Sequence, residues 1–158
     1  NRKKQEHPIL LNQMHEHIAE IYSTKNCYGM ETDDLVATYW KTLTSELGRD
    51  NVVIVSLDKD YKQLPCLMYN YHYKHQQVYD ITPYEALYNF YEQMVVGDSA
   101  DNVNYCKGYG KVYAKKLFKD CKTHYQFTKK TYELFKTIYK SKAKLKYIQC
   151  YNLLKLRM

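Results

Sequence analysis

The sequence predicts an α/β fold with a parallel sheet that continues into an all-helical C-terminal region. The run Asn51–Ser56 (NVVIVS) is apolar at consecutive positions, which is typical of a parallel strand buried on both faces. Helical periodicity flanks this run, and from about residue 100 only helical periodicity remains. A buried strand among helices, followed by helices alone, indicates an α/β core with a helical extension. We therefore divide the chain into residues 1–96 and residues 97–158.

Apolar residues at helical intervals predict the elements of the first half. They indicate a helix from Ile9 to about Thr24. A short extended piece is expected after it, at Cys27–Met30. A second helix is predicted over Thr32–Leu47 and ends at Gly48. Residues 66–79 predict one or two irregular strands that form a hairpin.

A stronger signal marks the start of the next helix. Thr82 and Glu85 form a T-x-x-E capping box, and Pro83 occupies the first helical position. This helix is predicted to run to about Val95. Further helices are expected at about residues 100–105, 111–119, 128–140 and 143–156.

The composition argues against membrane and disulfide-rich classes. The longest aliphatic run, Val52–Val55, is far shorter than the ~20 apolar residues that a membrane-spanning helix requires. The five cysteines are scattered and include no C-x-x-C pair, so neither a disulfide framework nor a zinc ribbon is expected. Free thiols suit a reducing compartment, and we expect the protein in the cytoplasm.

The net charge of +7 is divided unevenly along the chain. Residues 1–106 hold 9 Lys and Arg against 15 Asp and Glu, whereas residues 107–158 hold 15 against 2. An acidic body is therefore joined to a basic tail of net charge +13. Lysines at helical intervals over Lys107–Lys146 favour a polyanion such as a phosphate backbone as partner, and a solvated helical face is the alternative.

Three short motifs gather acidic residues at the ends of predicted elements: Glu31–Asp34 (ETDD), Ser56–Asp60 (SLDKD) and Gly97–Asn102 (GDSADN). Each has an ordinary explanation, as a helix cap or a solvated loop. The second motif, however, directly follows the apolar strand, where α/β proteins place their chemistry. Together the motifs hold seven of the seventeen acids: Glu31, Asp33, Asp34, Asp58, Asp60, Asp98 and Asp101. If the fold gathers them, they repel one another unless hard divalent cations bind, and Mg²⁺ is the natural candidate.

A G-x-G turn follows the last acidic motif. Its glycines let backbone N–H groups approach a phosphate, and lysines flank it. Between two short predicted helices, the turn is typical of a helix–hairpin–helix that clamps a DNA backbone. The candidate DNA-binding residues are Lys107, Gly108, Gly110, Lys111, Lys115 and Lys116.

The order of these motifs resembles the 5′-nuclease superfamily, and most closely the bacteriophage 5′–3′ exonucleases, which are related to flap endonucleases. That family shows G-x-E-A-D-D, then I-x-S-x-D-K-D-x-x-Q-L, then G-D-x-x-D-N and a G-x-G hairpin. The matching segments here are Gly29–Asp34, Val55–Leu64, Gly97–Asn102 and Gly108–Gly110. Asn1–Lys4 also resembles the family's Y-K-x-N-R-K segment near the base of its helical arch, which adds Arg2, Lys3 and Lys4 as DNA-binding candidates. The resemblance covers most of residues 1–120.

The resemblance implies that residues 1–96 are part of a PIN-like 5′-nuclease core and that residues 97–158 are a helix–hairpin–helix region with a basic helical extension. It assigns Glu31, Asp33 and Asp34 to a first metal site. It assigns four further acids to a second site: Asp58, Asp60, Asp98 and Asp101. Two Mg²⁺ ions, for which Mn²⁺ could substitute, would activate a water and stabilise the leaving oxygen in phosphodiester hydrolysis. The hairpin would hold a monovalent cation and grip the duplex.

The chain departs from the family pattern in two ways. Family members begin with a strand that carries a metal-binding Asp and with a basic arch, and neither lies within residues 1–158. We therefore expect an N-terminal polypeptide, from the same gene or from another chain, to complete the first site. In the hairpin, Asn104–Cys106 stands where P-G-V is common, which alters the cation loop.

Three functions are consistent with these features. The leading interpretation is a Mg²⁺-dependent 5′–3′ exonuclease or flap endonuclease that acts on 5′ flaps and on nicked or branched DNA, in the host cytoplasm if the gene is a phage gene. The alternative is a nuclease-derived protein that binds branched DNA without cleaving it. A third is a metal-dependent ribonuclease that acts on RNA–DNA primers. No membrane partner is expected.

Overall fold

A computed structural model describes residues 8–25 and 27–158. The chain separates into two units, Asn1–Glu31 and Thr32–Met158, which are described separately. None of the helices in the described residues is both long and apolar enough to cross a membrane.

In the described residues of the first unit, helix α1 spans Leu11–Ile21 and is shorter than the predicted Ile9–Thr24. None of the residues of α1 is buried. The extended piece predicted at Cys27–Met30 is wrong, because this segment forms a turn in which Gly29 adopts a φ of +78°.

The second unit is an α/β arrangement of a small sheet and several helices. Its main elements are α2 (Thr32–Leu47), β1 (Val53–Val55), β2 (Leu67–Asn70), β3 (Gln77–Asp80), α3 (Pro83–Val96), α4 (Lys111–Leu117), α5 (His124–Tyr139) and α6 (Ala143–Leu154). Short 3₁₀ helices cover Arg49–Asn51, Lys59–Gln63 and Lys140–Lys142. The predicted bounds of α2 are confirmed, and so are the hairpin of β2 and β3 and the last three helices.

The sheet is mixed rather than purely parallel. Its order is β1-β2-β3, with β1 parallel to β2 and β2 antiparallel to β3. The prediction that the apolar strand is buried on both faces is wrong. Ile54 is 6% exposed and packs in the core, whereas Val55 is 62% exposed. Since side chains alternate along a strand, only one face of β1 contacts the core.

The helix predicted at about residues 100–105 is also wrong. Asp98 and Val103 exchange two backbone hydrogen bonds of 2.7 Å each, which close the loop between them. Asn102 supports this loop with a φ of +57°. The first helix of the predicted helix–hairpin–helix is therefore replaced by turns, whereas the position of its second helix is taken by α4, which begins directly after Gly110.

Two clusters of buried side chains form the core of the second unit, and α3 contributes to both. Ala86 of α3 joins the cluster beneath the sheet, which includes Ile54 and Met68. Further along α3, Phe90 and Met94 join the cluster formed with α4, α5 and α6. The predicted boundary between residues 96 and 97 falls at the end of α3, inside this unit.

Candidate metal centre

Three aspartates from two segments converge beside the C-terminal half of α3. Asp60, Asp98 and Asp101 each bring a carboxylate oxygen within 4.8 Å of the other two. Asp60 lies in the 3₁₀ helix after β1, and the other two lie in the loop after α3. Of the seven acids predicted from the sequence, these three therefore meet; we refer to them as the aspartate trio.

Gly97 determines where Asp98 lies. Its φ is +83°, and a Cβ at this position would lie 2.3 Å from the carbonyl oxygen of Val103. A larger residue would thus push the loop away from the end of α3. The glycine of the GDSADN motif therefore lets the chain turn sharply enough to direct Asp98 inward, where its side chain is only 1% exposed.

Gln93 orients two of the three carboxylates, and sequence reasoning missed it. Its Nε2 donates to Asp60 Oδ1 at 2.8 Å and to Asp98 Oδ2 at 2.9 Å. Gln63 fixes the Gln93 amide by donating from Nε2 to Gln93 Oε1 at 2.9 Å. The one signal for Gln93 in the sequence is its place one helical turn before the Gly97–Asp98 pair.

Lys59 pairs with the most buried member of the trio. Its Nζ lies 2.9 Å from Asp98 Oδ2, and this hydrogen bond raises the pKa of Lys59. Burial opposes the ionisation of Asp98, but hydrogen bonds from Lys59, from the Ala100 N–H and from Gln93 outweigh it, and the pKa of Asp98 is lowered. The Ala100 N–H donates to Asp98 Oδ1 at 2.8 Å. Asp98 is thus held as a carboxylate.

Asp60 has the opposite tendency. Its pKa is raised to about 6, chiefly by burial; the negative charges of Asp58 and Asp98 add to this rise, and the hydrogen bond from Gln93 opposes it. The trio therefore combines a carboxylate that is held ionised with one that is repelled by its neighbours. A bound cation would favour the ionised form of both.

Asp58 lies outside the trio, although it belongs to the same motif as Asp60. It is the N-cap of the 3₁₀ helix, and its carboxylate accepts from the Asp60 N–H at 2.9 Å. It is exposed, and its charge still acts on Asp60.

Asp33 and Asp34, two acids of the predicted first metal site, do not join the aspartate trio. Asp34 is buried, and its Oδ1 accepts from the Arg157 N–H at 2.7 Å. Asp33 accepts from the Asp34 N–H at 2.9 Å in the first turn of α2. Within the described residues, no group of three or more candidate ligands includes either of them. Glu31 belongs to the first unit, and its predicted place beside them stays a prediction.

A cavity of about 260 Å³ adjoins the trio. Its lining residues come from the 3₁₀ helix, from α3 and from the start of α4: Lys59, Asp60, Lys62, Gln63, Asn89, Glu92, Gln93, Val96, Gly97 and Lys111. The Nζ of Lys62 lies 4.4 Å from the centroid of the Tyr79 ring. Lys59 and Lys111 are the remaining cationic residues of the lining.

The G-x-G segment lies on the surface before α4. Gly108 has a φ of +90°, and no atom lies within 4 Å of a Cβ built at either of the two glycines. The four candidate lysines of this region are exposed: Lys107, Lys111, Lys115 and Lys116. Arg2, Lys3 and Lys4 lie outside the described residues, and the predicted monovalent cation stays a prediction.

A second and larger groove lies between α4 and α5, and sequence reasoning missed it. Its volume is about 820 Å³, and its lining includes Lys116, Lys129 and Lys130 together with Tyr113 and Tyr125. Lysines beside exposed tyrosines provide both positive charge and flat aromatic surfaces.

Comparison of the chain with protein-family models, with curated proteins and with solved structures finds no match. The resemblance to the 5′-nuclease superfamily is therefore a prediction that rests on the motifs alone.

Proposed function

We propose that this chain carries a divalent-metal site of a Mg²⁺-dependent DNA nuclease of the 5′–3′ exonuclease or flap endonuclease type. The observation that carries the proposal is the convergence of Asp60, Asp98 and Asp101 within 4.8 Å. A few carboxylates with room for water and a substrate phosphate are the ligands that Mg²⁺ prefers.

The residues of the trio fit such an ion. Three carboxylates supply hard oxygen ligands, which suit Mg²⁺ and Mn²⁺ better than soft metals. Gln93 donates a hydrogen bond to each of two of these carboxylates, and such hydrogen bonds orient the carboxylate ligands of metal sites. The pKa of Asp60 is raised first by burial and then by the negative charges of Asp58 and Asp98, and a bound cation would favour the ionised carboxylate against both.

The chain's own groups have distinct parts in the proposed reaction. When bound, a divalent cation supplies Lewis-acid stabilisation of the charge that develops on the phosphate. Asp98 forms the buried anchor of the site, and Gln93 sets its orientation and that of Asp60. Asp101 is exposed, so the site opens to solvent on the side from which a phosphodiester would approach.

The basic helical region supports DNA as the substrate. Of the Lys and Arg residues in 107–158, all except Lys146 and Lys155 are exposed. Such a surface binds the phosphate backbone through charge rather than base sequence. We propose 5′ flaps and nicked or branched duplexes as substrates, with RNA–DNA hybrids as a further class, in the cytoplasm. The N-terminal polypeptide predicted to complete the first metal site, that of Glu31, Asp33 and Asp34, is part of this proposal.

One observation favours the second candidate, a branched-DNA-binding protein without cleavage activity. The carboxylate of Asp34 is engaged by the backbone of the chain end rather than gathered with other acids. With the aspartate trio alone, the chain would bind DNA and one cation but would lack the other metal site that a two-metal nuclease requires.

A cleavage assay separates the two candidates. The purified chain is incubated with a labelled 5′-flap duplex in Mg²⁺ or in EDTA, beside the variants Asp98→Asn and Asp120→Asn. The nuclease proposal predicts weak, metal-dependent cleavage that Asp98→Asn abolishes and that Asp120→Asn, an exposed aspartate outside the trio, leaves unchanged. Flap binding without any metal-dependent cleavage would support the second candidate instead.

A further inference from the structure

We propose that the ammonium group of Lys59 competes with a divalent cation for the carboxylate of Asp98. Once a metal ion has displaced it, Lys59 binds a substrate phosphate in the adjoining cavity. This inference rests on the proposed function, because it concerns the regulation of the same site. It assigns to Lys59 a phosphate-binding role that is coupled to metal binding.

The Lys59 ammonium group lies against the buried carboxylate of Asp98. It lies 2.9 Å from Asp98 Oδ2, and the side chain of Asp98 is 1% exposed. Gln93 Nε2 donates to the same oxygen. A divalent cation on that oxygen would be within a few ångströms of the ammonium group, and two positive charges at that distance repel strongly in a partly buried site. Lys59 and the metal ion therefore compete.

Lys59 can leave the Asp98 carboxylate without disturbing the fold. Its side chain is 61% exposed and consists of a flexible stem with a compact charge at its end. Asp98 keeps its hydrogen bonds from Gln93 and from the Ala100 N–H when Lys59 departs. The carboxylate that receives the metal ion thus stays in position.

The displaced Lys59 side chain can turn into the adjoining cavity, which it already lines. The cavity holds Lys59 and Lys111 along with Asp60 and Glu92, so its lining carries both signs of charge. Asp60 and Glu92 repel a free anion, and the lysines repel a free cation. A phosphate ester that shares an oxygen with the trio's cation satisfies both sets, because its charge is matched by the metal ion and by the lysines together.

The consequence is positive coupling between the two ligands. Metal binding releases Lys59 for the phosphate, and a bound phosphate removes Lys59 from Asp98. By linkage, each ligand then tightens the binding of the other. Removal of the ammonium group should accordingly have opposite effects on the two affinities, which a general loss of structure would not produce.

Two titrations of the 158-residue chain test this. Mn²⁺ binding is followed by electron paramagnetic resonance, and binding of thymidine 5′-monophosphate is followed by nuclear magnetic resonance in Mg²⁺ and in EDTA. The variants are Lys59→Met, Asp98→Asn and the matched control Lys62→Met. Lys62 lines the same cavity, but its ammonium group contacts the Tyr79 ring.

We expect Lys59→Met to tighten Mn²⁺ binding by about tenfold, since a competing charge is removed, and to weaken binding of the mononucleotide in Mg²⁺ by about tenfold. Lys62→Met should change neither affinity by more than about twofold. The unmodified chain should bind the mononucleotide more tightly in Mg²⁺ than in EDTA.

The outcomes separate this inference from the proposed function. If Asp98→Asn abolishes Mn²⁺ binding but Lys59→Met does not strengthen it, the competition is refuted and the metal site stands. If Lys59→Met strengthens Mn²⁺ binding without weakening the mononucleotide, the phosphate role is refuted. If the unmodified chain binds no Mn²⁺, or binds it equally well after Asp98→Asn, both proposals fail.

Discussion

Gly97 shows how much of the site depends on one residue. Its backbone combines a positive φ with a close approach to the Val103 carbonyl, and both conditions exclude a Cβ. The next residue is Asp98, which is therefore aimed at Asp60 rather than at solvent. The glycine of the motif is a steric requirement of the site.

We predict that Gly97→Ala destabilises the protein by about 2–3 kcal/mol, because it adds a steric clash to a strained φ. Urea denaturation measures the change. Gly110→Ala is the control, since Gly110 has a φ of −106° and no neighbour within 4 Å of its Cβ position. It should change stability by less than about 1 kcal/mol. Equal losses in the two variants would contradict the role given to Gly97.

Some residues of the candidate site could be predicted from the sequence, whereas others could not, for a physical reason. Asp60, Asp98 and Asp101 stand out because acids at the ends of elements are visible as motifs. Gln93 and Lys59 do not stand out, since their roles follow from side-chain directions that only the folded chain sets. A glutamine inside a helix and a lysine between two aspartates are ordinary on a solvated surface.

At the scale of elements, α3 links the core to the site. Its N-terminus is fixed by the capping box, in which Thr82 Oγ1 accepts from the Glu85 N–H at 3.2 Å and the Glu85 carboxylate accepts from the Thr82 N–H at 2.8 Å. Its C-terminal half carries Gln93 and ends at Gly97. Stability of this one helix therefore contributes to the geometry of the trio.

We predict that Thr82→Ala destabilises the protein by about 1 kcal/mol at neutral pH, as the loss of a cap does elsewhere. The hydrogen bonds from Thr82 lower the pKa of Glu85 below 4.5. Near this pH the folded chain binds fewer protons than the unfolded chain, so the stabilisation from the Glu85 carboxylate is complete above pH 4.5. It is lost as the pH falls through the folded-state pKa.

Thermal denaturation at neutral and acidic pH checks this prediction. The difference between the unmodified protein and Thr82→Ala should shrink on acidification. Thr137→Ala, an exposed change within α5, should cause no loss at either pH because alanine favours helix formation. A difference that grows in acid would contradict the assigned sign.

The sequence predicted the ends of helices correctly where neighbouring residues determine them. Gly48 ends α2 with a φ of +85°, and the capping box starts α3, as the sequence indicates. The loop from Asp98 to Val103 was predicted as a helix because its backbone pairing is not visible as a periodic pattern. In β1 the apolar run predicted burial on both faces, whereas only one face of the strand packs against the core.

At the scale of the whole second unit, the end of the chain returns to the α/β core. Leu156 is buried in the cluster beneath the sheet, and the Leu154 carbonyl accepts from Gln63 Nε2 at 2.7 Å. The Arg157 N–H binds Asp34. The same Gln63 fixes Gln93, so the chain end supports the residue that orients the trio. No local pattern in the sequence links these distant positions.

We predict that Leu156→Ala destabilises the protein by about 2–4 kcal/mol, because it leaves a cavity among buried side chains. Leu153→Ala, at an exposed position near the end of α6, should cost less than about 0.5 kcal/mol. Urea denaturation of both variants measures the difference. Similar stabilities would mean that the chain end does not pack as described.

The proposed metal centre requires that Asp60, Asp98 and Asp101 together bind a divalent cation. Mn²⁺ titration of the unmodified chain and of the Asp60→Asn, Asp98→Asn, Asp101→Asn and Asp120→Asn variants tests this directly. We expect each change in the trio to weaken Mn²⁺ binding by roughly tenfold or more, and Asp120→Asn to have no effect. If all four variants retained full Mn²⁺ affinity, or if the unmodified chain bound no Mn²⁺, the aspartate trio would not be a metal site.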